Sequence, residues 1–351
     1  MKLDMVASLR CVNENCHVAY RVICGDSAVK LSEIEPRTVD LVVTSPPYFR
    51  QREYAAKGMG NEETVEEYIE NLLVVFDKIV RIMKPTGNIV YNLGDKIIDG
   101  SSKLIPYQFA LKALENFDLR LVNDITWVKS NPTPHQFSRR LVASTEPFFH
   151  FALNKDYYYD RSAFLPTSRK KRSKPSGKLG ARYRDLIEES DLSEYQKKGA
   201  HRALDEVILE VHAGKIHSFR MKIRGIHAPA YGGQEGGRKM RMERYGFTII
   251  RISGEALKRD VIETPVENLP GNGHPAIFPV AVVRELIRLL SPEGGKILDP
   301  YLGSGSTAVA ALLEGRSAVG IDISKEYCIA AERRLNETAE MLRTPIQERL
   351  M

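Results

Sequence analysis

The sequence predicts an α/β fold in which one parallel sheet, with helices on its faces, is assembled from both ends of the chain. The first observation is that two stretches, 1–153 and 270–351, alternate apolar strand-like runs with segments of helical periodicity. The second is that the stretch between them, 154–269, breaks this alternation and is rich in Arg, Lys and Gly. We therefore predict a first α/β half, an insertion and a second α/β half.

The individual elements follow from these runs. Apolar runs predict strands at Val18–Cys24, Val39–Thr44, Asn88–Leu93, Leu119–Val128, Glu146–Leu153, Lys296–Leu298 and Ser317–Ile321. Apolar residues at helical spacing predict helices at Glu63–Met83, Leu104–Phe117, Ser193–Ala213, Phe278–Leu290, Gly305–Leu313 and Ser324–Leu335. Because strands and helices alternate within each half, we expect the strands to run parallel.

The composition bounds the class of protein. With 43% hydrophobic and 27% charged residues, the chain has the composition of an ordinary folded protein. A formal charge of +6 favours an anionic partner. No apolar run is long enough to span a bilayer, and the N-terminus does not resemble a signal peptide. We therefore expect a soluble, cytoplasmic protein without a membrane partner.

The four cysteines are too few for a disulfide scaffold in a chain of this size. Cys11, Cys16 and Cys24 lie close together in sequence with His17, which leaves a small zinc site conceivable. Their spacing is not that of paired Cys-x-x-Cys motifs, however, and we favour reduced structural thiols. We therefore predict no metal.

The segment Thr44–Tyr48 (Thr-Ser-Pro-Pro-Tyr) follows a strand that we expect to be buried on both faces. Its two prolines end the strand and fix the backbone, so the carbonyl groups of Ser45 and Pro46 should point in a set direction. Tyr48 adds a flat ring suited to stacking on a planar ligand. Such a segment suits the binding of a flat ring that carries an amino group. Alternatively, it is a proline-rich turn in which Tyr48 only packs.

A second candidate site is the loop Asp299–Thr307, which lies between a predicted strand and a predicted helix. Gly303 and Gly305 allow a tight turn and a close approach of a ligand. Asp322 ends the next strand, where a carboxylate can accept hydrogen bonds from both hydroxyls of a ribose. A dinucleotide and a nucleoside with a positively charged amino-acid tail are the two competing ligands. The acid at Asp299 would repel a pyrophosphate and attract a cation, which favours the second, S-adenosylmethionine.

These two segments together resemble the motif pair of the amino-group DNA methyltransferases. Ser45–Tyr48 resembles the catalytic motif, and Asp299–Gly305 resembles the cofactor motif, with Tyr301 where the family usually has Phe. The catalytic motif comes first and a basic insertion separates the two, which is the order found in the permuted β class. Gly25-Asp26, His274–Pro279 and Gly320–Asp322 also match. The resemblance therefore covers both α/β halves.

The resemblance implies a Rossmann-like, circularly permuted S-adenosylmethionine-dependent methyltransferase sheet. Residues 1–153 are then the catalytic half, 154–269 the target-recognition insertion, and 270–351 the cofactor-binding half. The implied catalytic residues are Ser45, Pro46, Pro47 and Tyr48. The implied S-adenosylmethionine-binding residues are Asp26, Thr44, Pro275, Phe278, Asp299, Pro300, Tyr301, Gly303, Ser304, Gly305, Ser306, Thr307 and Asp322.

The implied partner is double-stranded DNA, with a cognate restriction endonuclease as a conceivable second partner. Basic residues in and before the insertion are therefore expected to contact phosphates, although a run of charge is also common on a solvated face. These residues are Arg139, Arg140, Arg169, Lys170, Lys171, Arg172, Lys174, Arg182 and Arg184. A protein of this kind is expected to act at the prokaryotic nucleoid.

The expected reaction is site-specific methylation of an exocyclic amino group, by base flipping and direct in-line transfer. Methylation at cytosine C5 would need a nucleophilic cysteine after a proline, and no cysteine is placed in that way. In the resembled family, Ser at the first motif position usually accompanies N4-cytosine, whereas Asp or Asn accompanies N6-adenine. We therefore expect N4-methylcytosine, with N6-methyladenine as the alternative. A non-catalytic DNA-binding protein and a dehydrogenase are the remaining alternatives.

Overall fold

The structure is a computed structural model, and it describes residues 5–10, 17–51, 58–132, 139–160, 179–213, 215–216, 218–227, 238–252, 259–266 and 279–343. The chain divides into two compact units. The first comprises Met1–Phe164 and Arg259–Met351, and the second comprises Leu165–Lys258. In sequence, the second unit falls within the predicted insertion, 154–269.

Strands from both ends of the chain share one sheet. The strands of the described residues, numbered in chain order, are β1 (Met5–Arg10), β2 (His17–Cys24), β3 (Val39–Thr44), β4 (Met83–Asn92), β5 (Ile97–Ile98), β6 (Ser101–Ser102), β7 (Arg120–Lys129), β8 (Thr145–Ala152), β9 (Ser218–Ile223), β10 (Phe247–Ile252), β11 (Val261–Thr264), β12 (Lys296–Asp299) and β13 (Ser317–Asp322). Nine of these form the large sheet of the first unit, in the order β1-β2-β13-β12-β3-β4-β8-β7-β11. Because β12 and β13 lie between β2 and β3, the prediction of one sheet built from both ends is confirmed.

The prediction that all strands run parallel is wrong for two of the nine. β1 runs antiparallel to β2, and β8 runs antiparallel to both of its neighbours, β4 and β7. The other adjacent pairs are parallel. β8 pairs with its direct predecessor in the chain, and only a parallel pairing would demand a long crossover connection. The sheet is therefore mixed: β2, β13, β12, β3 and β4 run parallel side by side, and β7 and β11 form a second parallel pair at one edge.

Helices cover both faces of this sheet. The helices of the described residues are α1 (Ser27–Lys30), continued by a 3-10 turn at Leu31–Glu33, α2 (Val65–Ile82), α3 (Ile105–Asn116), α4 (Ala181–Glu188), α5 (Glu194–His212), α6 (Arg238–Tyr245), α7 (Val280–Leu290), α8 (Ser306–Leu313) and α9 (Lys325–Arg343). Successive residues of the fully buried β3 point to opposite faces. Val42 belongs to the hydrophobic cluster with α2 and α3, whereas Leu41 and Val43 belong to the cluster with α7, α8 and α9.

The helix α2 shows how closely local signals fix an element. Its N-cap is Thr64, whose hydroxyl accepts a hydrogen bond from the Glu67 amide at 3.1 Å. Tyr68, Leu72, Phe76 and Ile79 recur at helical spacing and are all buried. The predicted helix at 63–83 is thus confirmed to within two residues at its start and one at its end. The strand that follows begins earlier than predicted, at 83 rather than 88, because residue 83 already pairs with β3 before an irregular stretch.

The second unit has its own small core. The helix α5 begins with a capping box, in which Ser193 and Gln196 bond reciprocally to each other's backbone amides. β9 and β10, which the sequence analysis did not predict, form an antiparallel pair. Ile187, Leu204 and Ile223 are among the buried residues that these helices and strands enclose. The unit is therefore a compact body and not an extended linker.

Two features are absent from the part of the chain that the structure describes. Within it, none of the helices combines the length and apolar character needed to cross a membrane. Likewise, within it, no cluster of three or more His, Cys, Asp or Glu side chains is arranged to hold a metal ion. Cys11 and Cys16 lie outside the described residues, so the second statement does not extend to a zinc site at the N-terminus.

Candidate active site

The two candidate motifs meet at one edge of the sheet. β3 and β12 are neighbours, so Thr44 and Asp299 both end strands at the same edge. The Thr44 hydroxyl donates a hydrogen bond of 2.6 Å to Oδ1 of Asp299, and both side chains are buried. The Thr307 hydroxyl lies 3.4 Å from the carbonyl oxygen of Val43. Side chains more than 250 residues apart in sequence are thereby joined directly.

Ser45 and Tyr48 belong to a compact hydrogen-bonded group with two residues that the sequence analysis did not single out. The Ser45 hydroxyl lies 3.1 Å from Oδ1 of Asn92 and 3.2 Å from the Tyr48 hydroxyl. The Tyr48 hydroxyl lies 2.7 Å from the same Asn92 oxygen and 3.0 Å from Oε2 of Glu146. Asn92 is fully buried at the end of β4, and its amide nitrogen donates to the Pro147 carbonyl at 3.0 Å.

The charge at Glu146 is balanced by a neighbouring lysine. Lys129, at the end of β7, forms an ion pair with Glu146, and the side chains are 20% and 14% exposed. The Lys129 ammonium also lies 5.1 Å from the centre of the Trp127 ring. Burial, together with the negative charge of Glu146, holds the pKa of the Tyr48 phenol well above its ordinary value. Tyr48 is therefore a hydrogen-bond donor at any physiological pH.

Packing fixes the rest of the Ser-Pro-Pro-Tyr segment. The Tyr68 hydroxyl donates a 2.8 Å hydrogen bond to the Pro47 carbonyl. Gly94 lies against the ring of Tyr48 so closely that a Cβ at this position would be 2.5 Å from Cδ2 and Cε2 of the ring. Only glycine leaves room for the ring there, because real Cβ atoms do not approach other heavy atoms so closely. The position of the Tyr48 ring is thus set by its hydroxyl at one end and by Gly94 at its side.

The glycine loop is held by backbone contacts to the neighbouring strand. Gly303 and Gly305 adopt left-handed conformations, with φ of 51° and 83°. The Gly303 amide donates to Oδ2 of Asp322 at 2.8 Å, and the Ser324 amide donates to Oδ1 at 2.8 Å. A Cβ at Gly305 would meet the Cβ of Ala331 at 3.1 Å, so the loop also packs tightly on α9.

Both acids of the loop region have raised pKa values. Burial raises the pKa of Asp299 to about 6, against the opposing effect of hydrogen bonds from Thr44, Thr307 and the Tyr301 amide. Burial also raises the pKa of Asp322, against its two backbone hydrogen bonds. Asp299 therefore carries its negative charge at neutral pH but loses it within the mildly acidic range.

The remaining predicted cofactor residues in the first unit lie at the same edge. Asp26 caps α1 by accepting a hydrogen bond from the Ala28 amide at 2.8 Å, and the preceding Gly25 amide bonds to the Asp322 carbonyl. The Pro300 carbonyl accepts a hydrogen bond from Ser27. Tyr301, in the loop, is half-buried. Ser304, also in the loop, is buried, and so are Ser306 and Thr307 at the start of α8.

The remaining predicted site residues fall into three groups. Pro275, Phe278, Arg169, Lys170, Lys171, Arg172 and Lys174 lie outside the described residues. Arg139, Arg140 and Arg182 are exposed. Arg184 forms an ion pair with Asp205 inside the second unit. The assignment of these basic residues to DNA therefore stays a prediction.

Asn92, Gly94 and Glu146 are the site residues that sequence reasoning missed. Asn92 is the last residue of β4 and Gly94 follows it, and the carboxyl end of a strand is where open α/β sheets place ligand-binding groups. This rule could have selected both of them. Glu146 stands at the start of an antiparallel strand, so the same rule could not reach it without knowledge of strand direction.

Comparison with known proteins assigns the family. The sequence model of a family described as "DNA methylase", comprising N6 and N4 methyltransferases, matches residues 39–333. The chain belongs to this family. This amino-group DNA methyltransferase is 24% identical to the Type II methyltransferase M.SmaI of Serratia marcescens, over 93% of each chain. It is 26% identical to the orphan methyltransferase M.BamHII of Bacillus amyloliquefaciens, over 85% of this chain and 89% of the relative.

Solved structures share its fold. The PvuII DNA methyltransferase, named as cytosine-N4-specific, superposes with a TM-score of 0.56 at 15% identity and 92% coverage of each chain. TTHA0409 of Thermus thermophilus, solved in complex with S-adenosyl-L-methionine, superposes with a TM-score of 0.52 at 20% identity, covering 91% of this chain and 94% of that one. The Rossmann-like fold predicted from the sequence is confirmed.

S-adenosylmethionine is the cofactor of this methyltransferase family, and the residues of the loop region fit it chemically. Each oxygen of the Asp322 carboxylate accepts one backbone hydrogen bond and keeps a lone pair for a ribose hydroxyl. The buried Asp299 supplies negative charge for an ammonium group. Gly305 provides no side-chain cap to α8, so the first amides of that helix remain suited to a carboxylate. A pyrophosphate would instead meet two acids, the buried Asp299 and the half-buried Asp322.

Proposed function

We propose that this methyltransferase transfers a methyl group from S-adenosylmethionine to the exocyclic N4 amino group of cytosine, at specific sites in double-stranded DNA. The observation that carries the proposal is the uncharged hydroxyl of Ser45 at the end of β3. The Ser45 hydroxyl can donate its proton to Asn92 or to Tyr48, which leaves the lone pairs of its oxygen for the target amino group. The PvuII enzyme, whose name states cytosine-N4 specificity, has the same fold and is consistent with this assignment.

The chain's own residues account for activation of the target nitrogen. An exocyclic amino nitrogen is a poor nucleophile because its lone pair is delocalised into the ring. A hydrogen bond from the amino group to Ser45, and a second to the Pro46 carbonyl, favours a pyramidal nitrogen with a localised lone pair. The target base must leave the duplex to reach these acceptors, and the ring of Tyr48 offers a face on which it can stack. Holding the nitrogen in line then contributes much of the rate.

Bound S-adenosylmethionine supplies the electrophilic methyl group. We assign Asp322 to its ribose hydroxyls, Asp26 to the adenine amino group, and Asp299 to the ammonium of its methionine end. Thr44 supports this arrangement because its hydroxyl fixes the orientation of the Asp299 carboxylate next to the catalytic segment. Pro275 and Phe278 complete the assigned set on the strength of the family motif alone.

We assign sequence recognition to the insertion, and we infer that a restriction endonuclease acting on the same site is a conceivable partner in a prokaryotic cytoplasm. The support is the concentration of basic residues in the insertion and the Type II classification of relatives such as M.SmaI.

The direct test of the reaction is to express the chain in a host free of DNA methylation and digest the DNA of that host to nucleosides. Mass spectrometry is expected to find N4-methylcytosine. N6-methyladenine as the main product would overturn the cytosine assignment and leave the amino-group chemistry in place.

Replacing Arg169, Lys170, Lys171 and Arg172 together with Ala is expected to weaken DNA binding and flatten its salt dependence. The salt slope should fall by roughly one for each phosphate contact that is lost. Fluorescence anisotropy across a range of salt concentrations measures both quantities. Replacing Lys112 and Lys155, which are exposed in the first unit, is the control. An unchanged affinity and slope would show that the run is only a solvated surface.

The affinity for S-adenosylmethionine is expected to fall as the pH drops through about 6, the pKa of Asp299. Because burial raises this pKa, the free protein holds a proton on Asp299 below that pH, and the proton must leave before the carboxylate can pair with an ammonium. The loss should be about tenfold between pH 7 and pH 5, a range in which the ligand's own carboxyl and amino groups largely keep their charges. Calorimetry measures it. In Asp299→Asn the affinity should be lower and nearly independent of pH; an equally steep dependence in that variant would refute the assignment.

A further inference from the structure

Four oxygen atoms from the Ser-Pro-Pro-Tyr segment and from two strands, β4 and β8, form what we term the oxygen cluster: Oγ of Ser45, Oη of Tyr48, Oδ1 of Asn92 and Oε2 of Glu146. Two of the four can only accept hydrogen bonds. Asn92 presents its carbonyl oxygen because its amide nitrogen is committed to the Pro147 carbonyl. Glu146 presents a carboxylate oxygen. Wherever these two contact Ser45 or Tyr48, the hydroxyl must therefore be the donor.

An ion pair with Lys129 holds the Glu146 side chain in place. The two side chains are largely buried, and Lys129 is also held over the ring of Trp127. An ammonium has only donors, so the Glu146 oxygen that faces it must accept, which leaves the other oxygen for Tyr48. Glu146 thus links two strands of the sheet to the phenol group of Tyr48. Among the described residues, the Glu146 side chain is linked to Ser45 through the hydrogen bond of that phenol.

The direction of these hydrogen bonds decides where the proton of the Ser45 hydroxyl points. The phenol proton of Tyr48 is attracted to Glu146 and shared with Asn92, so Asn92 remains able to accept the proton of Ser45 as well. Ser45 then points its proton toward Asn92, and the lone pairs of its oxygen point away from the oxygen cluster. An acceptor in this position suits an amino group, whereas a carbonyl oxygen, as on thymine or guanine, would meet only lone pairs.

We propose that Glu146 is a positioning residue for methyl transfer, which acts through the Tyr48 hydroxyl to keep Ser45 oriented as a hydrogen-bond acceptor. The inference rests on the proposed role of Ser45 toward an amino group, but not on whether the base is cytosine or adenine. It assigns Glu146 no contact with the substrate. Its effect should therefore appear in turnover and vanish when the Tyr48 hydroxyl is removed.

Glu146→Gln tests this directly. A glutamine must turn its oxygen toward Lys129, so its NH₂ group faces Tyr48 and donates to it. The phenol then gives its whole proton to Asn92 and competes there with Ser45. We expect kcat to fall about tenfold, as for the loss of a hydrogen bond to a charged group, with Kd for S-adenosylmethionine unchanged.

The decisive measurement is a double-mutant cycle with Tyr48→Phe, which removes only the hydroxyl. If Glu146 acts through that hydroxyl, Glu146→Gln should change kcat less than about twofold in the Tyr48→Phe background. An equal loss of kcat in both backgrounds would mean that Glu146 merely supports the fold, and would overturn the proposal. Glu314→Gln is the matched control, because Glu314 is 10% exposed and is paired with Arg284 and Arg288. It should lower stability without changing kcat.

Two features keep this test separate from the proposed function. Activity is measured as total transfer of labelled methyl groups to DNA, so a product of N6-methyladenine would refute the cytosine assignment while the cycle still decides the role of Glu146. Fluorine NMR of protein containing 3-fluorotyrosine gives a second, activity-independent readout. The resonance that disappears in Tyr48→Phe should shift in Glu146→Gln and stay in place in Glu314→Gln. An unshifted resonance would refute the hydrogen bond on which the proposal depends.

Discussion

Replacing Ser45 with Ala is expected to lower kcat for methyl transfer about a hundredfold while leaving Kd for S-adenosylmethionine within about twofold. The hydroxyl is held by Asn92 and Tyr48 at the end of β3, where its lone pairs can meet the target amino group. A contact that strengthens as the nitrogen becomes pyramidal contributes to the transition state and not to cofactor binding. Steady-state assays with saturating cofactor, combined with calorimetry, separate the two effects.

The control for this variant is Ser101→Ala, which removes an exposed hydroxyl in the short β5–β6 hairpin. It should leave both quantities at wild-type values. A Ser45→Ala protein with normal kcat would remove Ser45 from the reaction. A protein with normal kcat but weakened cofactor binding would place Ser45 in the cofactor site instead.

Replacing Gly94 with Ala is expected to lower kcat/KM for DNA methylation about ten- to a hundredfold, because the new methyl group would displace the Tyr48 ring. The added Cβ would lie 2.5 Å from two ring carbons. Relief of that overlap should cost about 1–3 kcal/mol of stability and move the ring from the position that its hydroxyl bonds define. Methylation assays and thermal unfolding measure the two effects.

A second glycine supplies the matched control. Gly199 lies in α5, and a Cβ there would meet only Cε1 of Phe247 at 3.9 Å. Gly199→Ala should therefore raise stability by about 1 kcal/mol, as expected inside a helix. If Gly94→Ala kept wild-type kcat/KM, the ring of Tyr48 would have no part in binding or orienting the target base. If Gly94→Ala also lowered kcat/KM in a Tyr48→Ala background, the loss would not arise from displacement of the Tyr48 ring.

The sequence was sufficient to predict the elements that carry strong local signals. The helix α2 has an N-cap threonine and a buried stripe at helical spacing, and β3 has six consecutive buried residues. The meeting of Thr44 with Asp299 could also be predicted, because both segments end strands of one expected sheet. In each case a short stretch of sequence determines the outcome.

Strand direction and the oxygen cluster could not be predicted in the same way. An apolar run of given length has the same pattern in either direction, so nothing local marks β8 as antiparallel. The role that we propose for Glu146 depends on that reversal, since it brings the first residues of β8 beside the last residues of β4. Gly94 is similar, because its importance lies in the ring that packs against it and not in a left-handed backbone.

The position of β12 and β13 in the sheet has a consequence for how the protein is made. These two strands leave the ribosome after every other strand of the large sheet, yet they occupy its middle, between β2 and β3. Until they arrive, the nascent chain holds two strand edges open, and such edges invite mispairing with other chains. The partner of Thr44 and the whole glycine loop arrive with them. Translation products that stop before β12 should therefore lack activity.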